Sequence, residues 1–296
     1  MQKSSWQIGF WAFGTSFVAF FLLFLGIMGL AQPNAAGMAA ATVTEKNDYQ
    51  PEPSDAITVL FMGGSIREET PGLFVLARFD PAQKRIAMTV LPGSTAVWNG
   101  SDREPMAEVY RYGGADYTRK ALQKTLGLPI DRYAWLSAAD FLKIAGLLGT
   151  VEAEIHQPVA LNRHGAVIQL GIGRQLLDGT KGLTLLQYYQ KENQTAAINA
   201  LLEELVNQRI DIALTSSLDT IFRQIVNMAE TDITYMDYDN RKQAAAWLAQ
   251  NRAKFAPAYV MTAQGLWQQN DRLFLLTDTF SAQLLEIFHG GIRAES

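Results

Sequence analysis

No cysteine occurs in the chain, which excludes disulfides, thiolate metal ligands and thiol nucleophiles. Histidine is nearly as scarce. His156, His164 and His289 stand far apart, with no i,i+4 pair and no Glu-x-x-His, so no zinc-binding spacing exists. Positive charge is not in excess either: 25 Lys and Arg face 29 Asp and Glu, a formal net charge of −4. Nucleic acid is therefore not an expected partner. Phosphate-loop and hydrolase signatures are missing too. Gly63-Gly64-Ser65 is not followed by Gly-Lys-Ser/Thr, and Ser65, Ser94 and Ser101 lack a Gly-x-Ser-x-Gly setting.

What is present is one long apolar run. From Ile8 to Ala31 there is no charge, and the only hydroxyl residues are Thr15 and Ser16. A helix of this length reaches about 36 Å, against roughly 30 Å of bilayer hydrocarbon. Trp6 and Trp11 lie near its start, where indole rings suit the headgroup layer. Lys3 precedes the run, and the first charges after it are Glu45, Lys46 and Asp48. This predicts a single-pass protein of the cell membrane, with residues 1–7 cytoplasmic, 8–31 spanning the lipid bilayer and the rest extracellular. The alternative is a signal peptide cut among the small residues between Ala31 and Ala41, although the run exceeds the usual length of a signal core. Residues 32–54, rich in Ala and carrying Pro33, Pro51 and Pro53, read as a linker.

The folded domain is expected over 55–291. Ile57–Met62 reads as a buried strand ending in a glycine turn. Leu73–Phe79 and Arg85–Leu91, joined by Asp80-Pro81-Ala82-Gln83-Lys84, predict a hairpin. Tyr117–Leu126 predicts a helix stopping at Gly127, and Ser137 with Asp140 predicts a capped helix start. Val151–Ile155 alternates as a strand does. Thr195–Ile210 is amphipathic, and Ser217–Met228, Arg241–Gln250 and Phe280–Phe288 are further helices. Ala258–Thr262 and Arg272–Leu276 read as strands around Asn270-Asp271. Asp237-Tyr238-Asp239 reads as a solvated loop, or as a cation site on one strand face. The sum is a mixed α/β fold, a central mixed sheet flanked by helices.

Several of these segments, in this order, resemble the LytR-CpsA-Psr family of membrane-anchored cell-wall enzymes. They are Met62-Gly63-Gly64-Ser65-Ile66-Arg67, the Asp80-Pro81 turn, Tyr110-Arg111-Tyr112-Gly113-Gly114, Leu126-Gly127-Leu128-Pro129-Ile130-Asp131-Arg132-Tyr133, and Leu177-Asp178-Gly179. The resemblance implies transfer of a phosphate-linked glycopolymer from a polyprenyl-pyrophosphate carrier to peptidoglycan. In such enzymes arginines hold the pyrophosphate and aspartates hold Mg²⁺, because cations must neutralise the leaving group's charge.

This chain departs from the pattern where the chemistry lies. Gly72 stands in place of one metal aspartate, and Gly93-Ser94 in place of the phosphate arginine and the second aspartate. Two further arginines, on alternate strand positions in the family, correspond to Gln187 and Tyr189. By family position the residues of the pyrophosphate or lipid site are Arg67, Thr95, Gln187, Tyr189 and Gln194, of which Arg67 is the one family-like arginine left. The expectation is a protein that has lost catalysis, needs no cofactor, and binds or scaffolds in envelope assembly. Its partners would be a polyprenyl-linked glycan, peptidoglycan or an active paralogue. The alternative is a divergent phosphotransferase using Mg²⁺, with Arg67, Glu68, Glu69, Asp102 and Arg103 as replacements. An envelope-sensing regulator is a third, weaker reading, since Met1–Ser5 is too short to bind DNA.

Overall fold

The computed structural model describes residues 49–64, 71–137, 139–140, 142–144, 150–163, 166–192, 194–209, 218–251, 254, 257–268 and 272–289. The expected membrane span at 8–31 lies outside them; among the described residues no helix is long and apolar enough to cross a membrane.

A six-stranded mixed sheet forms the centre. Its members are β1 (Ile57–Gly64), β2 (Pro71–Asp80), β3 (Arg85–Leu91), and, after the small hairpin β4 (Ala96–Asn99) and β5 (Asp102–Pro105), β6 (Arg132–Leu136). Four strands form two outlying hairpin-like pairs: β7 (Val151–Ile155), β8 (Val159–Arg163), β9 (Ala166–Leu170) and β10 (Gly173–Leu177). The short β11 (Glu230–Thr231) and β12 (Ala258–Thr262) complete the sheet in the order β11-β6-β1-β2-β3-β12. β13 (Gly265–Gln268) pairs with β14 (Leu273–Leu276). The helices are α1 (Met106–Leu126), α2 (Gly179–Lys191), α3 (Thr195–Arg209), α4 (Leu218–Met228), α5 (Tyr235–Asp239), α6 (Lys242–Asn251) and α7 (Asp278–Phe288).

Both faces of the sheet are buried, which is why its strands read as unbroken apolar runs. Ile57, Val59, Phe61, Val75, Ala77, Phe79 and Met88 point one way, into a core shared with Leu185, Leu202, Leu205, Phe222, Ile225 and Leu248 of α2, α3, α4 and α6. Leu60, Met62, Phe74, Leu76, Ala87 and Leu91 point the other way, against Met106, Val109 and Leu122 of α1 and Phe280, Leu284 and Phe288 of α7. Alternation along each strand sorts the two sets.

Strand direction then locates the site. β1 is antiparallel to β2 and β2 to β3, so β1 and β3 run the same way; β6 is parallel to β1 and β12 to β3. The carboxyl ends of four strands therefore share one edge of the sheet, at Gly64, Leu91, Leu136 and Thr262. Ligands of open α/β sheets bind outside such an edge.

Ala258–Thr262 and Leu273–Leu276 are strands as expected, the first joining the main sheet beside β3 and the second pairing with β13. Two expectations need correction. The helix ending at Gly127 begins at Met106 and is bent at Gly114. Asp237 and Asp239 lie on neither a strand nor a solvated loop. They sit in α5, where Asp237 closes a capping box with Thr234 and is buried beside Arg132.

Candidate functional site

The carboxyl edge is built around the corner after β3. Here three successive carbonyls are taken up by neighbouring backbone: Gly93 accepts from the Ala107 N–H at 2.8 Å, Ser94 from Phe274 at 2.9 Å and Thr95 from Met106 at 2.9 Å. The Gly93 and Thr95 carbonyls serve the start of α1, whose amino end has no side-chain cap, and the Ser94 carbonyl serves β14. Thr95 N–H returns to the Pro92 carbonyl at 2.9 Å. Thr95 itself is fully buried, and its Oγ1 has no hydrogen-bond partner among the described residues.

Gly93 is tightly enclosed. A Cβ built there would lie 3.2 Å from the Ala107 Cβ and 3.6 Å from the Phe74 ring. Gly72 lies in β2. Neither glycine offers a side chain, and Ser94 offers at most a hydroxyl. Mg²⁺ takes oxygen ligands, chiefly carboxylates. No group of three or more His, Cys, Asp or Glu residues able to hold a metal occurs among the described residues. The described residues do not fit the ion.

The other wall is the start of α3, which runs antiparallel to β12. Asn199 Nδ2 donates to Thr262 Oγ1 at 2.7 Å, Glu203 Oε1 accepts from the Val260 N–H at 2.9 Å, and Asn207 Oδ1 accepts from the Ala258 N–H at 3.1 Å. This polar row, one residue per turn, replaces a missing strand along the edge of β12. It also carries the amino end of α3, with Gln194, to the carboxyl edge. Gln194 Oε1 accepts from Gln157 Nε2 at 3.0 Å, and its N–H donates to the Tyr189 carbonyl at 2.7 Å.

Thr95 and Gln194 therefore stand at the same edge, on opposite layers. Arg67, like Glu68 and Glu69, lies outside the described residues. Gln187 and Tyr189 are not on a strand but in α2. Residues two apart on a helix diverge by about 200°, so the alternate-residue pairing expected of them does not hold. The Tyr189 ring is buried in the core beside Tyr188, their centroids 5.9 Å apart. Burial, then the neighbouring Tyr188, pushes its hydroxyl above the ordinary tyrosine range. Asp102 and Arg103 sit in the β4–β5 hairpin, where Arg103 covers the Trp98 ring at 4.6 Å.

Among the described residues near this edge, several charges have partners. The Asp140 carboxylate binds Lys143 at 2.8 Å and the Ser137 hydroxyl at 2.7 Å. Burial opposes its ionised form, but these partners outweigh burial and hold its pKa low. Arg272 is tied to Glu108 at 3.0 Å. The denser ionic network lies at the opposite edge of the sheet. There Arg132 grips Asp237 through two bonds of 2.8 and 3.0 Å, Asp131 accepts from the Thr58 N–H at 2.7 Å, and Arg241 donates to the Asp55 carbonyl at 3.1 Å.

This fold matches known proteins. A sequence model of the LytR_cpsA_psr family covers residues 28–281. The chain belongs to the LytR-CpsA-Psr family. A curated relative, the polyisoprenyl-teichoic acid–peptidoglycan teichoic acid transferase TagU of Bacillus licheniformis, is 21% identical over 194 residues. That match spans 62% of each chain, so less than two thirds of the relative's length is represented. Among solved structures, one from Eubacterium siraeum superposes with a TM-score of 0.69 at 13% identity, covering 88% of this chain and all of the other. TagV of Bacillus subtilis gives 0.62 at 17%, covering 80% and 97%. TagT, bound to LIIa-WTA, gives 0.60 at 16%, covering 86% and 99%. At these identities the family members share the fold, and the residues at the edge must be judged one by one.

Asn199, Glu203 and Asn207 escaped the sequence reading. Their signal was available: polar residues at i, i+4 and i+8 inside an apolar helix face.

Proposed function

We propose that this protein is a membrane-anchored member of the LytR-CpsA-Psr family, facing the outside of the cell, that takes part in cell-envelope glycopolymer assembly by binding rather than by transfer. The reading of place rests on the charge-free run at 8–31. The reading of pathway rests on the family match and on the names of TagU and TagT. The observation that carries the loss of transfer is Gly93. It offers no side chain, and a Cβ there would press on the Ala107 Cβ at 3.2 Å, which supports the reading that no phosphate-binding cation stands at this position. Pyrophosphate departure depends on such cations, each worth about 3 kcal/mol in the transition state. Lys143 and Arg272 are committed to carboxylates and supply no free charge.

The test is calorimetry on the full chain in detergent, titrated with a polyprenyl-pyrophosphate analogue with and without Mg²⁺. Binding that does not change with Mg²⁺ is the expected result. Binding that tightens steeply with Mg²⁺ would contradict the reading and turn attention to Arg67, Glu68 and Glu69 as replacement ligands.

A further inference from the structure

Tyr112 and Tyr117 of α1 are exposed, at 57% and 41%, on a helix whose other face fills the core. Residues five apart on a straight helix point about 140° away from each other. Here the two rings stand 6.3 Å apart between centroids, tilted by 57°. The double glycine between them makes this arrangement. Gly114 has φ 72° and ψ −169°, a conformation essentially reserved to glycine. At Gly113 an added Cβ would lie 2.4 Å from the Tyr117 ring, so only glycine lets that ring lie down on the helix.

Both hydroxyls are fixed by one relay reaching to the β4–β5 hairpin. Tyr117 donates to Asn99 Oδ1, Asn99 Nδ2 donates to the Tyr112 oxygen, and Tyr112 donates to Glu104 Oε2, each at 2.6 Å. Desolvation and the bond to Glu104 push the Tyr112 hydroxyl up to about 12, so it stays a donor throughout the physiological range. Asn99 and Glu104 lie on the hairpin face shared with buried Val97, toward α1, whereas Trp98 and Arg103 pair on the other face.

The result is two rings held rigidly in solvent and flanked by a planar amide and a carboxylate. Exposed aromatics locked in place give contact area at little entropic cost. Glu104 beside the rings disfavours an anion, and of the lysines on this face of α1, Lys120 is engaged with Asp116 and Lys124 donates to the Gly100 carbonyl at 3.2 Å. An uncharged polyol fits: sugar C–H faces can stack on the rings while hydroxyls meet the amide and carboxylate. We propose that Tyr112, Tyr117, Asn99 and Glu104 form a binding platform for an uncharged stretch of glycan. The choice of glycan rests on the functional reading above. Asn99 stands four residues beyond Thr95 along β4, about 13 Å of extended chain from the corner at the carboxyl edge.

The test titrates the full chain in detergent with a soluble N-acetylglucosamine tetramer and follows amide hydrogen exchange. Saturable binding with protection over 99–104 and 112–117 is expected. Tyr112→Ala should weaken it by about tenfold or more, and Tyr112→Phe, which keeps the ring, by far less. Absence of binding by the folded chain, protection elsewhere, or an unaffected Tyr112→Ala variant overturns the platform. If that variant does not fold, the exchange map on the native chain decides. A glycerol-phosphate oligomer binding here as tightly as the tetramer overturns the uncharged assignment. Saccharide binding without affinity for the polyprenyl-pyrophosphate analogue sinks the lipid reading and leaves the platform. The reverse outcome sinks the platform alone.

Discussion

At position 93 the difference between glycine and any other residue is set by Ala107, 3.2 Å from where a Cβ would be. Restoring a family-like arginine by Gly93→Arg should not restore the clamp. The start of α1 would have to shift, and overpacking of this kind costs about 1–3 kcal/mol. A denaturant melt should show that loss, and calorimetry should show no gain of Mg²⁺ dependence. Asp237 makes the opposite kind of prediction. Burial disfavours its charge, but Arg132 and Thr234 outweigh burial and hold its pKa below the usual carboxylate range. A depressed folded-state pKa adds stability above about pH 4, the unfolded value, and that stability fades as pH falls through the folded value. Asp237→Asn should therefore cost about 2–4 kcal/mol at pH 7, less than a fully buried pair because Arg132 is 34% exposed. The gap between variant and native melts should narrow toward pH 2. Comparing the two chains cancels Asp232, which burial shifts the other way. The glycines at 72 and 93 and the serine at 94 were singled out in the sequence by the family resemblance. The enclosure of Gly93 was not legible there, because Ala107 reaches it only once α1 is folded against the corner.

Among the elements, α3 does the work of a seventh strand. Its Glu203 and Asn207 satisfy N–H groups of β12 that would otherwise face the core edge unpaired. Gln208 does the same for β7, accepting from the Glu152 N–H at 2.9 Å and donating to its carbonyl at 2.7 Å. Glu203→Ala should leave the Val260 N–H unsatisfied and cost about 1–3 kcal/mol, with the Val260 amide exchanging faster than those of β2. Exchange at Val260 as slow as in the native chain would contradict this role. The helix was predictable from its apolar stripe, Leu201, Leu202, Leu205 and Val206, all buried as that stripe requires. The polar row on the same helix went unread because strand order was unknown, and only the order reveals β12 as an edge. α2 was missed for a related reason. Alignment to a family strand placed Gln187 and Tyr189 two apart on one face, whereas Gly179–Lys191 is helical.

On the scale of the whole molecule, charge and chemistry have separated. The buried ionic network of Arg132, Asp237 and Arg241 lies where the strands begin and serves the fold. At the carboxyl edge, where the family's chemistry would sit, the described corner is closed by backbone bonds and small residues. The fold class, the long core strands β1, β2 and β3 and most helices were legible from periodicity and turns, because apolar runs and glycine stops are local signals. The parallel pairing of β12 with β3 was not, since it joins segments far apart in the chain. The central claim is that this family member holds a glycopolymer precursor without transferring it. The most direct measurement incubates the full chain in detergent with a polyprenyl-pyrophosphate-linked saccharide, peptidoglycan and Mg²⁺, and follows the saccharide. The account predicts that the donor is bound and recovered intact. Transfer of the saccharide to peptidoglycan, at a rate that depends on Mg²⁺, would contradict it.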